Sequence, residues 1–145
     1  MKNKIDEALE IANTKDVSTP INCAVVYSIS FMPDEKNKKS ALEYLTQNQN
    51  AKMLDMTECG KALISLGLNG KVNEVHKGIT EIWKIASKRY IDNASGDIRA
   101  FVEGADERST FYSIELKEIL NNPKILTING IDKFVFAKNF KPQRY

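Results

Sequence analysis

Apolar residues return at steps of three and four through most of this chain, then give way to short unbroken runs near its end. Residues 2–13 place Ile5, Ala8, Leu9 and Ala12 on one face and predict a first helix. Ser18-Thr19-Pro20 breaks that pattern. Residues 21–31 are apolar almost throughout; a buried helix is the expected element, with a strand as the alternative because several positions are β-branched. Pro33-Asp34 ends the run. A modest helix over 40–49 turns Leu42 and Leu45 inward, and Thr57 caps another over 58–66 that stops at Gly67. The clearest helix covers 73–93, where Val75, Ile79, Ile82, Trp83, Ala86 and Tyr90 form one stripe. Ser95-Gly96 closes it. Residues 98–102 then predict a strand and 103–108 a loop. A short helix over 116–120 ends at Asn121-Asn122-Pro123, and 125–128 and 134–136 are two more candidate strands on either side of Asn129-Gly130.

Helices first and alternating helix and strand afterwards predict an α+β fold. A helical N-terminal lobe, 1–70, is expected to pack on a small α/β lobe, 71–145, with a short parallel sheet, the two forming one compact domain. Ligands of such sheets favour the crevice beyond the strand ends.

Charge changes this picture little. The 145 residues carry 21 Lys and Arg against 19 Asp and Glu, so a net charge of +2 does not itself point to nucleic acid. Lys133, Lys138, Lys141 and Arg144 gather near the end, as a solvated tail does; RNA or an acidic partner is the other reading. No apolar run approaches the roughly 20 residues needed to cross a bilayer. The opening Met-Lys-Asn-Lys-Ile-Asp-Glu lacks the apolar core of a signal peptide. Action in the cytoplasm is therefore expected, either of this chain alone or of a piece of a longer exported protein. Cys23 and Cys59 read as buried free thiols, too few for a disulfide framework or a zinc site. His76 is the only histidine, which disfavours Ser-His-Asp and Cys-His catalysis and excludes a multi-histidine metal centre.

Candidate chemistry concentrates between residues 83 and 115. Trp83 and Ser87 lie one helical turn apart, and the polar stretch Ser109-Thr110-Phe111-Tyr112-Ser113-Ile114-Glu115 ends in a carboxylate. An indole, several hydroxyls and one acid can hold a nucleotide and stabilise a positive sugar ring. Each group also has a plainer reading: Trp83 as a core anchor, Ser109 and Thr110 as loop or cap residues, Glu115 as a first-turn acid.

Three segments together resemble one family. Trp83-Lys84-Ile85-Ala86-Ser87, the apolar strand 98–102 and Ser109-Thr110-Phe111-Tyr112-Ser113-Ile114-Glu115 are similar to the core of the ADP-ribosyl cyclases, animal enzymes that convert NAD to cyclic ADP-ribose or ADP-ribose. The similarity covers residues 83–129, about a third of the chain. Upstream, Leu54-Asp55-Met56-Thr57-x-x-Gly60 resembles the family's Leu-Glu-Asp-Thr-x-x-Gly segment beside the nicotinamide pocket. The resemblance implies an ADP-ribosyl cyclase-like fold with Glu115 as catalytic carboxylate and Trp83 as the stacking aromatic. It implies Ser87 at the ribose or its phosphate, and Ser109, Thr110 and Phe111 in the phosphate-contacting turn. Asp55 falls where a glutamate tunes nicotinamide binding and product choice. The family's Trp-Ser-Arg corresponds to Tyr27-Ser28-Ile29, so Tyr27 is a substrate-binding candidate and the arginine is missing. Lys61, Arg89, Arg99 and Arg108 are the candidate replacements. The family's members are rich in disulfides; this chain has two cysteines and must rely on its core.

The implied chemistry is self-consistent. Glycosidases need two carboxylates because a leaving oxygen must be protonated. The nicotinamide of NAD is already a cationic pyridinium and departs neutral, so one carboxylate suffices and neither metal nor cofactor is needed: NAD or NADP is the substrate. An enzyme of this kind would drain its own cell. The expectation is the effector domain of an interbacterial toxin, of the contact-dependent growth inhibition kind, restrained at home by a cognate immunity protein, without nucleic-acid partner or membrane insertion. A cytosolic signalling cyclase is the nearer alternative. An RNase-type toxin and a non-catalytic binding or immunity protein are the readings from other classes.

Overall fold

The computed structural model describes residues 4–28, 36–67, 77–105 and 111–142. Among the described residues, six helices and four strands run in the order α1 (Lys4–Thr14), β1 (Val25–Tyr27), α2 (Lys36–Gln47), a 3-10 turn (Leu54–Met56), α3 (Glu58–Ser65), α4 (Lys77–Asp92), β2 (Gly96–Phe101), a π turn (Phe111–Glu115), α5 (Leu116–Asn121), β3 (Ile125–Ile128), β4 (Ile131–Asp132) and α6 (Lys133–Asn139). The sheet order is β1-β2-β3-β4, with the first three strands parallel and β4 antiparallel to β3. Asn129 (φ 53°) and Gly130 (φ 76°) both take the left-handed conformation that a tight turn from β3 to β4 requires.

Alternation along the strands sorts the core into two clusters. Ala24, Val26, Ile98 and Ala100 join the larger one with Ala8, Ala12, Cys59, Leu63, Ile82, Ala86 and Tyr90, from α1, α3 and α4. Val25 joins the smaller one, with Ala41, Ala51 and Met53, against which Tyr27 and Phe101 pack. This corrects the helix expected over 21–31. A strand covered on both faces reads as an unbroken apolar run, and periodicity alone does not separate it from a buried helix. Residues 29–31 of that run lie outside the described residues. The boundary expected near residue 70 also lies outside them; the larger cluster draws side chains from both sides of it, Ala8 to Ile128.

Two further expectations are corrected. In α2 the inward residues are Asn37 and Ala41, with Tyr44 and Leu45 packed on the smaller cluster, and Leu42 is exposed. Residues 134–136 form part of α6 rather than a strand, because the Asp132 carboxylate accepts from the N–H groups of Phe134 (3.0 Å) and Val135 (3.2 Å). That cap outweighs the strand propensity of Phe-Val-Phe, and Lys133, Phe136, Ala137 and Phe140 then turn inward at helical spacing. The capped helix at 58–66 is observed as α3, where Thr57 Oγ1 accepts from Gly60 N at 3.1 Å.

Candidate active site

The π turn puts a carboxylate where the core expects an apolar group. Phe111, Glu115 and Ile119 follow one another at four-residue steps, and all three are buried. Phe111 is 1% exposed and Glu115 7%. Among the described residues no hydrogen-bond donor or cation contacts the Glu115 carboxylate. Burial, with the negative charge of Asp55 as the second cause, lifts its pKa from 4.5 to about 8. An ionised, unpartnered carboxylate at such a position is costly, so Glu115 holds its proton at neutral pH.

Asp55 arrives on the 3-10 turn that precedes α3. Gly60 fixes that turn: a Cβ there would lie 2.0 Å from the Leu54 carbonyl oxygen, so the helix approaches the turn only with glycine. Thr57 Oγ1 also donates to Leu54 O at 2.6 Å, closing the same turn from its other side. The spacing Leu54-Asp55-x-Thr57-x-x-Gly60 is thereby a device for presenting Asp55. Burial raises the Asp55 pKa, its own backbone N–H and the charge of Lys38 opposing the rise. Lys38, in the first turns of α2, is thus within electrostatic reach of the site. Sequence reasoning missed it, and no local motif marks it.

Helix α4 connects these parts, packing on the π turn and on the 3-10 turn. It carries half-buried Trp83 and, one turn later, Ser87, 5% exposed. The phenol of Tyr90 accepts from Val25 N (2.8 Å) and donates toward Val25 O and Lys52 O, tying α4 to β1 and to the loop before the 3-10 turn. Burial raises the Tyr90 pKa, and the charges of Glu115 and Asp55 add to the rise, which places all three within mutual range.

The other predicted residues are distributed as follows. Tyr27 packs with the smaller cluster, whereas Ser28, the next residue, is buried with a hydroxyl that has no hydrogen-bond partner among the described residues. Ser109, Thr110 and Arg108 lie outside the described residues, as does His76. Arg89 donates to Ala12 O at 2.6 Å, and its charge opposes the burial-driven rise of the Cys59 thiol pKa, so it serves the α1–α3–α4 packing. Arg99 lies over the Tyr44 ring at 5.5 Å and 3.8 Å from Asp97. Lys61 is exposed on α3. Among the described residues no group of three or more His, Cys, Asp or Glu is arranged to hold a metal ion.

No family model matches the sequence, and no curated protein matches it. Solved structures do. Porcine CD38, holding a covalent intermediate, ribo-F-ribose-5'-phosphate, superposes with a TM-score of 0.57 at 21% identity, over 86% of this chain and 67% of that one. Aplysia cyclase, complexed with substrate NGD and product cGDPR, gives 0.56 at 18% identity, over 86% and 62%. A further CD38 structure, described as evidence for a conformationally flexible covalent enzyme-substrate complex, gives 0.53 at 14% identity, over 96% and 85%. The chain has an ADP-ribosyl cyclase-like fold. It spans about two thirds of the length of the porcine CD38 and Aplysia cyclase chains. The α+β class expected from the element order and from the resemblance is therefore observed.

Proposed function

We propose that this chain cleaves NAD between nicotinamide and ribose, releasing nicotinamide and forming ADP-ribose, cyclic ADP-ribose or both. The observation that carries the reading is the buried Glu115 carboxyl, to which no described residue offers a hydrogen bond or a counter-charge. The substrate supplies what is missing. A pyridinium-bearing ribose brings both a positive charge and two hydroxyl donors, and its arrival favours the ionised carboxylate. As the C–N bond breaks, its electron pair leaves with neutral nicotinamide, and Glu115 faces the oxocarbenium that remains. Water then gives ADP-ribose; the adenine ring of the same molecule gives the cyclic product. In this reading Trp83 stacks on the substrate, Ser87 holds the ribose, and Ser109, Thr110 and Phe111 receive the phosphates. Asp55 biases nicotinamide binding, and Lys38 takes over part of the role of the missing arginine. Tyr27 shapes the far wall through Ser28.

Purified protein mixed with NAD or NADP and resolved by chromatography tests this. Nicotinamide release should fall by about 10²–10³ in Glu115→Gln. Intact NAD and NADP after incubation with folded protein would sink the proposal, as would full activity of the variant.

The cellular role we propose is that of a toxin effector domain acting in the cytoplasm of a target cell, with an immunity protein as its partner. One observation favours action in a reducing compartment: Cys23 and Cys59 are both free. Expression of the wild type should exhaust cellular NAD and stop growth, and Glu115→Gln should do neither. Unchanged NAD in growing cells that express the wild type would reject this role.

A further inference from the structure

The π turn begins with two rings, and both meet the end of α6. Phe136 approaches Phe111 edge-on at 6.5 Å and 88°, and Phe140 does so at 5.5 Å and 76°. Phe140 also lies 5.9 Å from Tyr112 at 32° and stacks on Phe136 at 5.8 Å and 15°. One ring therefore touches both residues that open the turn ending in Glu115. Its own position is well determined. Phe140 N donates to Phe136 O at 2.9 Å, and the Lys133 ammonium donates to Ile119 O (3.2 Å) and Asn122 O (2.7 Å). That ties α6 to the C-terminal end of α5, the helix that continues directly from Glu115.

A π turn needs such support. The π-helix is rare and occurs mostly as a single turn joined to α-helix, frequently at functional sites, so what packs against it matters to its persistence. Rewinding these five residues as α-helix would shift the register by one residue and rotate Glu115 by about 100° away from its inward position. We infer that Phe140 is a positioning residue, whose ring braces Phe111 and Tyr112 so that the π turn holds the Glu115 carboxylate in the site. As a statement about catalysis this rests on Glu115 being the acting carboxylate; as a statement about geometry it does not. Among the described residues, Asp55 and Tyr90 are the titratable groups that bear electrostatically on Glu115.

The test combines steady-state NAD cleavage with NMR titration of the glutamate side-chain carboxyl carbons, the Glu115 signal being assigned from its loss in Glu115→Gln. Phe140→Leu keeps apolar bulk but removes the ring; Phe140→Tyr keeps the ring. In Phe140→Leu, kcat should fall by about tenfold or more with KM within about threefold. Water reaching the loosened turn should bring the Glu115 titration down toward the ordinary carboxylate range. Phe140→Tyr should restore both readouts. Tyr112→Leu, at a residue 40% exposed, removes the second contact without opening the core, and should move both readouts in the same direction. Should Phe140→Leu fail to fold, Tyr112→Leu and Phe140→Tyr carry the test. Unmoved titration and kcat in the folded leucine variants overturn the inference, as does a Phe140→Tyr variant that loses as much as Phe140→Leu. Wild-type protein that releases no nicotinamide would defeat the proposed function, and the titration alone would still decide the brace.

Discussion

Replacing Glu115 by glutamine should stabilise the protein, and by an amount that depends on pH. The folded carboxyl titrates at about 8 and the unfolded one at 4.5. Between those values the folded state binds more protons than the unfolded state, so stability falls as pH rises through that window. At about 1.4 kcal/mol per pH unit the full loss is of order 5 kcal/mol. Relaxation and water entry around a buried charge should leave roughly half of that. Glutamine has the same shape and no charge, so the variant escapes the loss. Below pH 4.5 the two proteins should be almost equally stable, because wild-type Glu115 is then neutral in both states. Near pH 9 the variant should lead by about 2–3 kcal/mol, or about 5–10 °C in Tm for a chain of this size.

The assay is thermal or urea unfolding of both proteins in matched buffers, read as the difference between them at each pH so that most other titrating groups cancel. The repulsion between Glu115 and Asp55 is already contained in the Glu115 shift and adds nothing further. A stability difference that stays constant across the range would refute the reasoning, as would a variant that is weaker at the alkaline end. Either result would mean that Glu115 is solvated or paired in the folded protein, and the argument from an unpartnered carboxylate would fail with it.

Three more substitutions probe the supports of this site. Asp55→Asn removes the neighbouring negative charge, so the acidic limb of the kcat/KM profile, set by Glu115 in the free enzyme, should move to lower pH; a limb that stays in place would show that the two carboxylates are not coupled. Gly60→Ala forces a Cβ to within 2.0 Å of Leu54 O and should cost about 1–3 kcal/mol in urea unfolding, with the 3-10 turn displaced; an unchanged midpoint would remove the close-approach reading of that glycine. Tyr90→Phe strips the hydroxyl from Val25 N, Val25 O and Lys52 O and should lower stability by about 1–3 kcal/mol, which a variant melting with the wild type would contradict.

What could be read from the chain divides along a physical line. Local signals were legible: Thr57 before an apolar face marked the start of α3, and the Ile82–Ala86–Tyr90 spacing marked α4. Elements decided by distant partners were not. Residues 25–27 are a strand because β2 on one side and α2 on the other cover them, and nothing within the run says so. Residues 134–136 have strand-like composition and become helix because of one aspartate cap. At the site, the order of Trp83, Ser87 and Glu115 was visible, and so was the Asp55 segment. The burial of Glu115 was not, since an acid just before a short helix looks the same whether solvated or enclosed. Lys38 was invisible for the same reason, being brought near Asp55 by tertiary packing alone.

The disulfide-poor sequence raised the question of what holds so small a chain around a costly buried acid. The answer is a set of side chains that bond main-chain groups across the loops. Asn122 Nδ2 donates to Ile91 O (2.9 Å) and Ala94 O (3.1 Å) while its Oδ1 accepts from Lys124 N (2.9 Å), joining the end of α4 to the start of β3. Asn129 bonds both Ala100 N (2.8 Å) and Ala100 O (2.9 Å), so it extends the ladder of β2 beyond the end of β3. Asn37 donates to Ser28 O (3.0 Å) and Glu103 O (2.8 Å), fastening α2 to the segments just past the ends of β1 and β2. Tyr90 does the same for β1, and Lys133 for α5. The bonds to Ser28 O, Ile91 O and Ala94 O satisfy buried main-chain groups, and losing one would leave that group uncompensated at about 1–3 kcal/mol. These ties sit at loop junctions around the sheet and at the helices flanking Glu115. Unlike disulfides they survive reduction, so the scaffold can hold a desolvated carboxylate in place with both cysteines free.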